Sequence, residues 1–235
     1  MKRADIVSVR RLFSGAALFR PVPSKRGFVW DLPQVAQLVV DLELNARAAL
    51  NQVEEDDEEE DEDTNGQRFY LGPVILGRGD HGAWILHDGQ QRLAVISLFL
   101  AFARDRIGEA DDSQKIDRML IRRSIGSPPE PRLRLAPEDH AWYAHFILPH
   151  GATNRLPSTA PLGSPKPLLM AARFMEQNFR NYSQSDLAHL VSFVARNTAV
   201  SRTMAEDELR AWIPAQHPHP HGHAADQGEW RMAAE

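Results

Sequence analysis

The chain has 235 residues, of which 43% are apolar and 8% aromatic, and its formal net charge is −5. It contains no cysteine, which excludes disulfides and thiolate metal sites. The basic start MKRADIVSVRRLFSG has no long apolar stretch of a secretory signal, and the longest apolar run, 93–103, is too short for a bilayer, so a cytoplasmic protein of one large or two small domains is expected. Charge is unevenly placed: residues 54–63 read EEDDEEEDED, ten of the 32 acidic residues. Against the remaining 22 stand 27 lysines and arginines, so the folded part is mildly basic and an anionic ligand stays open.

In chain order, residues 6–13 fit a short strand running into a helical turn, and ALFRPVP (17–23) is extended because its prolines oppose helix. A helix starts near Leu32 or Pro33 with Asp31 as N-cap, and Val35, Leu38, Val39 and Leu42 share one face. An acidic, disordered insert is expected over 51–67. FYLGPVIL (69–76) reads as a strand that Pro73 places at an edge or a bulge. Gly77 to Gly82 form a turn, and Ala83–His87 form the second strand of a β-hairpin. The helix from Gly89 to Ile107 is apolar on every side and therefore buried.

Further on, DSQKIDRMLIRRSI (112–125) reads as helix, PPEPRLRLAP as extended, and 138–148 as a helix packed through Trp142 and Phe146. Residues 149–167 carry five prolines and read as a loop. Helices follow at about 167–180 and 184–196, the latter capped by Ser183 or Ser185. From Ile213 periodicity is lost. The organisation expected is a domain over 1–107, a mainly helical region over 108–212, and a disordered tail over 213–235.

Two motifs carry little. GRGDHG (77–82) matches G-x-G-x-x-G, but a strand rather than a helix follows it, so it reads as a hairpin turn and not a dinucleotide site. HPHPHGH (217–223) binds metal loosely at most, and no defined metal site is expected. His140 and His145 read as packing or surface residues.

DGQQR (88–92) is different. Asp88 as N-cap and Gln91 at N3 would make a capping box with no ligand involved. That role leaves Gly89, Gln90 and Arg92 unexplained. Glycine in a first helical turn costs stability but lets another chain or a ligand approach the backbone. A helix N-terminus presents free N–H groups that suit phosphate, Arg92 adds a bidentate clamp, and Asp88 can hold a metal ion or orient water. Cap and site both remain open on these grounds.

FRPVPSKRGFVW (19–30), VAQLVVDL (35–42), FYLGPVIL (69–76) and ILHDGQQRLAVISLFLA (85–101), in this order, resemble the N-terminal domain of GmrSD-type restriction systems, a relative of ParB and sulfiredoxin-like domains. The family pattern is roughly F-x-I-P-x-Y-Q-R-x-Y-x-W, a helix ending L-x-x-D, Y-x-L-G-x-I, then I-D-G-Q-Q-R-L. The resemblance is strong over about 6–105 and weak to about 212. It implies an α+β fold, a small mixed sheet with packed helices followed by a mainly helical region.

It also implies a nucleotide-linked site, with Asp88, Gln91 and Arg92 in catalytic roles and Arg26, Lys25, Gly89 and Gln90 on phosphate. Arg26 matches the arginine of the Y-Q-R block and Trp30 its tryptophan, while Ser24 and Lys25 replace the tyrosine and glutamine. Trp30 also reads as a core anchor. The implied cofactor is an NTP with Mg²⁺, and the implied partners are DNA and an HNH-type nuclease, with no membrane. The expectation is a nucleotide-binding, NTP-hydrolysing component of a modified-DNA restriction system. The alternatives are a non-catalytic DNA-binding or nucleotide-sensing module and an inactive remnant, truncated or frameshifted near Ile213.

Overall fold

The computed structural model describes residues 4–23, 26–53, 68–108, 110–159 and 165–204. The expected His-rich tract and tail fall outside these residues, as do Lys25 and residues 54–67 of the acidic insert. The chain opens with strand β1 (Ala4–Ser8) and a single helical turn α1 (Val9–Leu12), whose Ser8 cap accepts from the Arg11 N–H. Strand β2 (Phe19–Pro21) follows.

Helix α2 (Leu32–Val53) begins at a reciprocal cap. Asp31 Oδ1 accepts from the Gln34 N–H at 3.1 Å, and Gln34 Oε1 accepts from the Asp31 N–H at 3.0 Å. Asp31 is thus the N-cap expected of it. The helix continues through Val53, so residues 51–53 of the expected insert are helical. Val35, Leu38, Val39 and Leu42 are buried, as their shared face requires.

Strands β3 (Phe69–Arg78) and β4 (Trp84–Asp88) form the expected antiparallel hairpin, joined by a 3-10 turn over Asp80–Gly82. The G-x-G-x-x-G run is therefore a hairpin turn. Helix α3 (Gln90–Arg106) is the centre of the core: every residue from Leu93 to Arg104 is buried. Helix α4 (Ala110–Leu120) stops where strand β5 (Ile121–Ser124) begins, which pairs with β6 (Ser127–Pro131). The helix expected over 112–125 thus ends five residues early, at the β-branched Ile121.

Helix α5 (Pro137–Phe146) packs through Trp142 and Phe146, whose ring centroids lie 5.4 Å apart. Helices α6 (Pro165–Asn178) and α7 (Gln184–Arg196) complete the helical layer, and the Asp186 N–H donates to Ser183 Oγ, the expected cap.

A further strand, besides β5, was not expected. Strand β7 (Thr198–Met204) leaves α7 through Asn197 alone and enters the sheet, whose order is β1-β7-β3-β4-β2. It runs antiparallel to β1 and parallel to β3. The sheet therefore crosses the boundary expected at residue 107. Its central strand is β3, so Pro73 sits at no edge. The expected bulge is present: the register slips between Tyr70 and Gly72 against β7, and between Ile75 and Leu76 against β4. Among the described residues the fold is α+β, a five-stranded mixed sheet and a two-stranded one packed with helices. No helix among them is long and apolar enough to cross a membrane.

Candidate functional site

The corner between β4 and α3 is built around two glycines. Gly89 is the N-cap of α3 at φ 93°, in the left-handed region, and no side chain caps the helix. A Cβ there would lie 3.0 Å from Val74 Cγ2 and 3.2 Å from the Pro73 carbonyl. Conformation and space thus both require glycine, and the backbone that approaches Gly89 is β3 itself. Gly72, on the bulge, has φ +112°, and a Cβ there would sit 2.0 Å from Arg92 Nη1. A glycine inside a strand marks a close approach, and here the guanidinium lies on it.

The expected Asp88/Gln91 capping box is not formed, because β4 runs through Asp88 and pushes the cap to Gly89. Gln91 instead reaches the 26–31 loop. Its Oε1 accepts from the Val29 N–H at 3.0 Å, and its Nε2 donates to the Gly27 carbonyl at 3.1 Å. The intervening Phe28 N–H donates to the carboxylate of Asp139, a fully buried residue in the first turn of α5. Three successive loop residues are thereby tied by side chains from two helices.

Arg92 donates from Nη1 to the Leu71 carbonyl at 3.2 Å and from Nη2 to Asp88 Oδ2 at 3.5 Å. Its side chain is 21% exposed and that of Asp88 49%. Arg26 is exposed, one residue from the Gln91 clasp, and has no hydrogen bond or ion pair among the described residues. Trp30 is half-buried against the core, and Gln90 is buried.

The structure therefore brings Asp88, Gln91, Arg92 and Arg26 to one corner. It buries Gly89 and Gln90 beneath it, and Lys25 lies outside the described residues. Asp139 and Gly72 escaped sequence reasoning. Gly72 carried a signal, being a glycine within a strand pattern; Asp139 carried none, since an acid in a first helical turn is ordinary. No group of three or more His, Asp or Glu side chains gathers to hold a metal ion among the described residues. Mg²⁺ needs no such cage when a nucleotide supplies phosphate oxygens, and the half-exposed Asp88 carboxylate fits as the one protein ligand.

A family model described as the GmrSD restriction endonuclease, N-terminal domain, matches residues 12–194. The chain belongs to this family. No curated protein matches it. The GmrSD match takes in the whole corner, from Arg26 to Asp139, and stops short of both β1 and β7, which pair with each other beyond its two ends. The protein is thus related to the components of restriction systems.

Proposed function

We propose that this protein binds a nucleoside triphosphate where the 26–31 loop meets residues 88–92, and hydrolyses it as part of a restriction system acting on modified DNA with an HNH-type nuclease partner. The observation that carries this reading is the Gln91 clasp. It spans 62 and 64 residues of sequence and ties Gly27, the residue after the exposed Arg26, to the segment that carries Asp88 and Arg92.

In this reading Arg26, Arg92 and the neighbouring Lys25 neutralise phosphate charge, and Asp88 orients water or an Mg²⁺ ion. Mg²⁺ carried by the nucleotide supplies further charge neutralisation at the phosphates. Gln91 is a positioning residue that fixes the loop. The buried Gly89 and Gln90 shape the corner, so the phosphates rest on side chains more than on amides. Phosphoryl transfer asks little of the protein beyond such placement and charge.

The test is phosphate release from each of the four NTPs, with and without DNA, for the full chain and for Asp88→Ala and Arg26→Ala. Both variants are expected to lose turnover while keeping the parental melting temperature. Unchanged turnover in both, or no nucleotide binding by calorimetry, overturns the reading. The alternative reading, a nucleotide-sensing module that binds without hydrolysis, uses the same corner. It would show as calorimetric binding with no phosphate released.

A further inference from the structure

A second feature lies in an open groove of about 1780 Å³ lined by α1, α4, β5, β6 and α7. Its size exceeds the roughly 300–1,000 Å³ of a small-molecule pocket. Its walls carry six lysine or arginine side chains against two carboxylates. Both carboxylates are already answered: Asp112 by Lys115 at 2.7 Å, and Asp117 by Arg123 and, at 3.2 Å, by the buried Arg104.

Three exposed arginines on three elements, Arg10 of α1, Arg118 of α4 and Arg196 of α7, have side chains with no hydrogen bond or ion pair among the described residues. The same groove is lined by Arg132, 7% exposed. Among the described residues it is held by backbone carbonyls alone, those of Arg118 at 2.6 Å, Ser14 at 3.3 Å, Gly15 at 3.0 Å and Ala17 at 3.1 Å. Carbonyl dipoles orient a guanidinium but do not cancel its charge. The groove is thus a positive surface on a chain whose formal net charge is negative.

We propose that Arg10, Arg118 and Arg196 form a track for the phosphodiester backbone of DNA, separate from the nucleotide corner. Repeated point charges on separate elements suit a polymer of phosphates better than a single anion. Such contacts position a duplex without reading its bases.

The experiment follows a short fluorescent duplex by anisotropy, across a salt series, with the full chain. Replacing all three arginines by alanine is expected to weaken binding roughly tenfold or more and to lower the slope of log affinity against log salt by about two to three. Arg10→Ala and Arg196→Ala alone should each lower it by about one. The triple lysine variant should bind like the parent, and nucleotide binding by calorimetry should be unchanged in all of them, which separates this outcome from the fate of the nucleotide corner. Parental affinity and slope in the triple alanine variant overturn the proposal, as does a parent that fails to bind the duplex at low salt. So does tighter binding by the alanine variant, because the arginines would then be serving the acidic run 54–63 of this chain instead.

Discussion

Helix α3 has an arginine–aspartate pair at each end, and the two pairs behave oppositely. At the C-terminal end Arg104 and Asp105 are both fully buried in their side chains. Arg104 donates to Asp105 at 2.8 Å, to Asp117, and to the carbonyls of Ile147, Leu148 and Pro149. Asp105 accepts from the Gly151 and Thr153 N–H groups and from the Thr153 hydroxyl at 2.7 Å. The protein itself satisfies this knot, which has nothing left to offer a ligand. At the N-terminal end Arg92 makes one ordinary hydrogen bond and one long contact, and Asp88 is half-exposed. Residue types alone do not separate structure from site. What differs between the two ends is the hydrogen-bonding capacity left unspent at the surface.

The largest way to break the comparison is Arg104→Ala. It takes the guanidinium away from the buried Asp105 carboxylate and from three carbonyls, and losing one partner of a buried pair costs about 3–5 kcal/mol. Chemical denaturation should show that loss, or a chain that no longer folds; a change below about 1 kcal/mol would mean the knot is wet rather than buried. Acid sharpens the same point. Burial pushes the Asp105 carboxyl up, but its hydrogen bond from Arg104, the Gly151 N–H, the Arg104 charge and Thr153 together hold it below its ordinary 3.8. The unfolded chain then binds more protons, so this stabilisation is complete above about pH 4 and fades as pH falls through the folded value. Asp105→Asn should flatten that acid limb of a stability–pH curve.

Next in size is Gly72→Ala, which meets both a positive φ and the Arg92 guanidinium. Backbone strain of this kind costs on the order of 1–3 kcal/mol. The double variant Gly72→Ala/Arg92→Ala removes the collision and keeps the strained φ, so it should be more stable than the two separate losses predict. Strict additivity in that cycle would mean Arg92 does not rest on Gly72.

Much of this was legible in the sequence, and what was not has a common cause. The apolar run of α3, the Asp31 and Ser183 caps and the β3–β4 hairpin are local patterns, and each is where periodicity and turn residues put it. The Gln91 clasp joins residues more than sixty positions apart, and the Arg104 knot joins residues 43 to 45 apart. Neither leaves a mark in its own neighbourhood. Strand β7 was missed because TAVSRTM buries only its first three residues and follows α7 with no glycine or proline between. At DGQQR the expected cap was wrong: its glutamine serves a distant loop instead of its own helix.

The smallest stability effects belong to the corner itself, and they sharpen the comparison most. Gln91→Ala frees the Val29 N–H and the Gly27 carbonyl at a partly exposed site, at a cost of about 1 kcal/mol. Asp88→Ala loses a 3.5 Å surface pair and should cost less than about 1 kcal/mol, with no change in fold. The ranking reverses for turnover. Asp88→Ala should abolish it while denaturation barely moves, and Gln91→Ala should raise KM more than it lowers kcat, because a loosened loop weakens nucleotide binding before it affects the reacting group. If Asp88→Ala instead unfolds the chain as Arg104→Ala does, the two ends of α3 are alike, and the corner is scaffold rather than site.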